Sequence, residues 1–188
     1  MFIQREAKLS SNRWSAISRG AALGIRISSR KARRHYGVAA SVPFIDGVHP
    51  LKTRSLNPYT GEARCINAIK WFIEKYEHVS EDKPISMAFH RMVWINEGLK
   101  FRTGVVDCDD DEPPEYVGGA SLGQPCTAHC DLTVIPRELF TRKTNAAGKP
   151  YYDISYNLVM TIRSGDVHFG VEFQGKNYGS AKVQYAHD

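Results

Sequence analysis

The last forty residues constrain this chain most. Tyr152, Ile154, Tyr156, Leu158, Met160 and Ile162 recur at every second position, with Asp153, Ser155, Asn157, Thr161 and Arg163 between them. Alternation with period two puts one set on each side of an extended strand. Ser164-Gly165-Asp166 then turns the chain, and Val167, Phe169, Val171 and Phe173 alternate again. Gly175-Lys176-Asn177 turns it back, and Ala181, Val183 and Tyr185 alternate a third time. Three such runs joined by tight turns predict a β-meander with one buried face.

The same period appears upstream. Ile85, Met87, Phe89, Arg91, Val93 and Ile95 alternate with Ser86, Ala88, His90, Met92 and Trp94. Asn96-Glu97-Gly98 is a turn, and a strand is expected to follow over Leu99 to Val106. Cys126 to Ile135 reads as another strand, with a turn of helix at Pro136 to Phe140 and a loop over Thr141 to Pro150. Residues 35–45 read as a strand ending near Pro43. Residues 46–61 hold Asp46-Gly47, His49-Pro50, Asn57-Pro58 and Gly61, which is loop chemistry.

Residues 62–78 have a different spacing. Ile66, Ile69, Phe72, Ile73 and Tyr76 fall at helical intervals, with Glu62, Lys70, Glu74 and Lys75 off that face. This predicts one amphipathic helix, with Glu62 in its first turn, where negative charge suits the helix dipole. Residues 12–24 predict a second, shorter helix with a small-residue face of Ala16, Gly20, Ala21 and Gly24. Two glycines in a short helix are stable only against a tightly packed partner. The fold class expected is α+β: a mostly antiparallel β region with one amphipathic helix, preceded by a short helix and a strand.

At 188 residues the chain is long enough for one core, or one core and an arm. Charge divides it unevenly. Nine Lys or Arg and a single acid, Glu6, lie in the first 36 residues, so a net charge of +5 leaves about −3 for the rest. A basic arm can contact nucleic acid, but this one has little aromatic interleaving and no nucleic-acid-binding signature after it. We read it as a solvated connector. Its Arg and Ser content also resembles a mitochondrial presequence, which ranks second. No apolar run is long enough to cross a bilayer, and the first residues lack an apolar signal core. Cys65, Cys108, Cys126 and Cys130 are irregularly spaced, which reads as reduced thiols in a cytoplasmic protein.

Few residues suggest chemistry. Cys126-Thr-Ala-His129-Cys130 gathers three possible metal ligands, yet on a strand Cys126 and Cys130 share a face and His129 points away. Asp107 to Glu115 is acidic but lacks the alternating pattern of a calcium loop and is broken by prolines; it reads as an exposed loop. His35, His49, His78, His90, His129, His168 and His187 are scattered, and no phosphate loop, nucleophile elbow or His-Glu-x-x-His occurs. We expect no catalytic, cofactor-binding or metal site in this chain.

From Trp14 to Tyr185, about nine-tenths of the chain, the sequence resembles the C-terminal region of fungal divergent Hsp70-like proteins of the heat-shock-protein-12A type. The resemblance rests on Trp14-Ser-Ala-Ile with Arg19-Gly20-Ala21, then Arg33-Arg34-His35-Tyr36-Gly37-Val38, then Asp46-Gly47-Val48-His49-Pro50 and Asn57-Pro-Tyr-Thr-Gly61. Lys70-Trp71-Phe72, Glu81-Asp82-Lys83-Pro84-Ile85, the acidic loop and Gly148-Lys-Pro-Tyr-Tyr152 follow in order. The resemblance implies that residues 1–45 are the last helix and strand of an actin-like ATPase domain, and residues 46–188 a β-rich C-terminal region. It implies ATP and Mg only for full-length relatives, since the family's phosphate loops and Mg-binding acids lie upstream of the matching part. The expected function is then a non-catalytic, chaperone-like region for protein or peptide interaction. The alternatives are part of an ATP-binding chaperone whose ATPase domain is missing here, or nucleic-acid binding through the basic arm.

Overall fold

A computed structural model describes residues 29–80, 82–118, 121–163 and 166–185. Those residues form twelve strands: β1 Ser29–Lys31, β2 His35–Pro43, β3 Arg54–Leu56, β4 Ala63–Ile73, β5 His78–Ser80, β6 Ile85–Trp94, β7 Lys100–Cys108, β8 Gly123–Asp131, β9 Thr141–Thr144, β10 Pro150–Arg163, β11 Asp166–Phe173 and β12 Lys176–Tyr185. β1 pairs only with β5. The other ten make one sheet in the order β3-β4-β2-β7-β8-β12-β11-β10-β6, with β9 added beside β10. Every pairing is antiparallel.

The sheet curls around one core because one face is apolar along nearly its whole width. Ile73 of β4 and Met87 of β6, from opposite ends of the strand order, share a core with Val105, Leu158, Phe169 and Val171. The meander occupies the middle of this core. Ile154, Tyr156, Leu158 and Met160 of β10 are buried in phase with Val167, Phe169, Val171 and Phe173 of β11, as the period-two pattern predicts. In β8, Cys126, Ala128 and Cys130 point inward.

The helix expected over residues 62–78 is a strand instead, and the fold is antiparallel β rather than α+β. The cause is visible in the register of β4. Ala40 faces Ala68 and Val42 faces Cys65, so Ile66 and Asn67 oppose one residue of β2. Tyr36 faces Ile73 and Gly37 faces Trp71, so Phe72 is a second extra residue. Each bulge shifts the side-chain alternation by one. Two shifts within eleven residues turn period two into intervals of three and four, which imitate a helix. Asn67 carries the first bulge at φ 62°, a left-handed conformation that Asn tolerates better than most residues. The β-branched and aromatic content of this stretch suits a strand.

The reading of residues 35–45 as the end of a separate actin-like domain also needs correction. The helix at 12–24 lies outside the described residues. The strand does exist, but β2 is hydrogen-bonded between β4 and β7 inside the large sheet. It is part of the β body. Within the two stretches read as loops, residues 54–56 and 141–144 add short strands, too brief and polar to show in a periodicity. Among the described residues no helix is long and apolar enough to cross a membrane.

Candidate functional site

A sheet that curls without closing its hydrogen-bond ladder has two ends, and the two ends here are treated differently. At one end β4 is covered. β3 pairs with Ala63 to Cys65. Beyond β3, the Ile69 N–H donates to Glu115 O at 2.7 Å and the Val117 N–H donates to Asn67 O at 2.9 Å. Trp71 Nε1–H donates to Pro114 O at 3.2 Å. The acidic loop is exposed over Asp109 to Glu112 and at Glu115, while Pro113, Pro114 and Tyr116 are half-buried and this portion serves as an edge cover. Its acidic start is tied down by charge. Arg34 Nη1 donates to buried Asp107 at 2.9 Å, and Lys75 Nζ reaches Asp111 at 2.9 Å. The Lys75 ammonium holds the Asp111 carboxyl below the usual carboxylate range.

At the other end β6 is open. Its inner edge pairs with β10 over ten consecutive positions, Trp94 with Tyr151 through Ile85 with Met160, without a bulge. On its outer edge no strand or loop backbone pairs with it among the described residues. Exposed edges are ordinarily blunted by lysine, proline, a bulge or short length. β6 is ten residues long and has no bulge, lysine or proline.

Its last residues are occupied by side chains. The Tyr59 ring sits 4.3 Å from Trp94 and 5.2 Å from Tyr151. Asn57 Nδ2 donates to Met92 Sδ at 3.5 Å, and Lys149 Nζ lies 3.9 Å from the Trp94 ring centre. The Asn57-Pro-Tyr-Thr-Gly61 turn thus latches the β3–β4 hairpin onto the outer face of β6 and β10. Residues 85–91 stay free of it. There Ser86, Ala88 and His90 face outward and are exposed, while Ile85, Phe89 and Arg91 face the core and are only half-buried. Phe89 stacks on Tyr156 at 5.6 Å. Outside, His90 and Lys143 both contact Asp153. Burial pushes the Asp153 carboxyl up, but the hydrogen bonds from Lys143 and His90 outweigh it and hold the group below the ordinary range.

No family model, curated protein or solved structure matches the chain. Function must therefore be argued from the geometry.

The Cys126, His129 and Cys130 candidates are not brought together. Cys126 and Cys130 are buried in the core, while His129 stands on the opposite face opposite Arg102 of β7. His129, Arg102, Gly104, Gln124, Thr127 and Gln184 line an open depression of about 410 Å³. Gln124 hydrogen-bonds Thr127 there at 3.1 Å. Among the described residues no three His, Cys, Asp or Glu side chains are placed to hold a metal. All four cysteines are buried and unpaired, and burial pushes the Cys126 thiol up to about 11. The native protein at pH 8 should therefore consume less than about one equivalent of a thiol reagent such as DTNB in minutes. All four cysteines should react after unfolding in guanidinium. Fast reaction of two or more in the native state would contradict the placement of these side chains.

Sequence reading missed the open edge. Period two at residues 85–95 announces a strand but says nothing about whether a neighbour lies on each side. The one local signal was Arg91, a charge standing in the inward phase of an otherwise apolar series.

Proposed function

We propose that this protein binds extended polypeptide segments by strand addition along residues 85–91 of β6, in a non-catalytic, chaperone-like role. The observation that carries the reading is the long edge of β6 that no described strand pairs with, beside half-buried Ile85 and Phe89. Strand addition gains affinity from main-chain hydrogen bonds, and pockets for alternate side chains give preference. A segment laid on β6 satisfies its free N–H and C=O groups and covers the apolar rims of Ile85 and Phe89. The covered β4 edge lacks this capacity. The resemblance to divergent Hsp70-like proteins supports the same role and implies no catalysis by these residues.

Hydrogen exchange with an octapeptide alternating valine and threonine tests the reading. Alternate amides between Ile85 and Arg91 should slow on addition of peptide, because only every second N–H of a strand points toward one edge. Amides of β10, already paired with β6 and β11, should not change. Protection appearing instead around Arg102, Thr127 and His129 would move the site to the outer depression and overturn the proposal.

A further inference from the structure

We infer that the segment taken up by β6 carries a carboxylate side chain opposite Arg91, followed by apolar residues two and four positions later. This rests on the strand-addition reading and names the chemistry of its partner. Arg91 occupies the inward phase shared by Met87 and Val93, both buried. Its guanidinium lies over the Phe101 ring, with Cζ 5.0 Å from the ring centre. Its Nε is buried and has no hydrogen-bond partner. The buried hydroxyl of Tyr156 lies beside the guanidinium, and it too lacks a partner of standard geometry.

Among the described residues no carboxylate answers this cation. The ion pairs among the described residues use Arg34, Lys75, His90, Lys100 and Lys143. A guanidinium half removed from water and left without a counter-ion is unfavourable unless something completes it. A planar five-donor fork suits a carboxylate, which it can hold by two parallel hydrogen bonds. A strand added along the outer edge of β6, where no described strand pairs, passes beside Arg91. A second copy of β6 does not supply the group, because Ile85–Trp94 contains no Asp or Glu. Every pair in the sheet is antiparallel, so the segment is placed antiparallel too. Its acidic residue then comes first, and the apolar residues facing Phe89 and Met87 follow. An inward charge on an edge strand can also serve only to repel other strands, and the experiment separates that role from this one.

Three octapeptides are compared by fluorescence anisotropy. One has glutamate at the position opposite Arg91, with valine two and four residues later. The second has glutamine in its place, and the third has the order reversed. The glutamate peptide should bind the native protein about ten-fold or more tighter than the glutamine peptide, as expected for a charge-assisted bidentate contact. It should also outbind the reversed peptide. In Arg91→Met the advantage of glutamate should fall to within about two-fold, since a neutral chain of similar length fills the space without a donor. Arg91→Lys provides a second variant that keeps the charge, and part of the advantage should survive in it; urea melts confirm that each variant is folded. Equal binding of the glutamate and glutamine peptides would overturn the carboxylate while leaving strand addition standing. Binding by none of the three would overturn strand addition itself. A dimer seen in sedimentation and dissolved by the glutamate peptide would assign the edge to a second copy and also overturn the inference.

Discussion

Truncating Leu158 to alanine is expected to destabilise the protein by about 2–5 kcal/mol, the range for deleting a large side chain from a packed interior. Leu158 has no exposed surface, and it stands between Val171 of β11 and Met87 of β6. Strands on both sides hold the backbone, so the space left behind cannot collapse easily. The neighbouring side chain gives the contrast. Asn157 points the other way, is partly exposed, and donates to Glu172 Oε1 at 3.1 Å. Asn157→Ala should cost no more than about 1.5 kcal/mol, the net worth of one hydrogen bond. Urea unfolding of the two variants checks both values. An Asn157 variant more damaged than the Leu158 variant would mean that β10 is out of register by one residue, with every side chain on the wrong face.

The parts of the fold legible in the sequence are those in which one strand face is buried without interruption. β6, β10 and β11 alternate cleanly because nothing breaks their pairing over ten and seven positions. β4 was illegible for the opposite reason. Its two bulges re-aim Ile66, Asn67 and Phe72, and the pattern that remains fits a helix better than a strand. Burial of β4 then overrides that pattern, since Cys65 and Ile73 are both inside. β9 could not be read either, because all four of its residues are exposed and the short Thr-Arg-Lys-Thr run has no apolar face. The candidate site lies a level above local pattern. Whether a strand is an edge depends on which distant segments pair with it. The sequence of residues 113–117 gives no sign that it lies along β4, nor does Tyr59 announce that it will sit on Trp94. Arg91 is the exception, because its inward phase can be counted from Met87 and Val93 alone.

Gly37→Ala is expected to cost about 1–3 kcal/mol, and Gly37→Val more, although neither position nor conformation demands left-handed backbone there. The reason is proximity. A Cβ on Gly37 would lie 2.7 Å from Trp71 Cε3, 2.9 Å from the Lys70 carbonyl oxygen and 3.0 Å from Ile69 Cγ2. Two of these neighbours are side chains, but the third is backbone and belongs to the β2–β4 ladder. It cannot retreat without loosening the pairing beside the second bulge, where Gly37 faces Trp71. Trp71 is held as well. Its indole N–H is bound to Pro114 O, and its ring meets His35 edge-on at 5.8 Å. A methyl group at residue 37 therefore pushes on the indole that fastens the 113–117 cover, and the substitution should both lower stability and shift the tryptophan emission. Gly98→Ala is the control: nothing lies within 4 Å of its added Cβ. That change should stay within about 0.5 kcal/mol. Equal stability of the two alanine variants in thermal melts would show that β4 does not approach β2 this closely. The covered edge would then rest on the loop's own contacts alone.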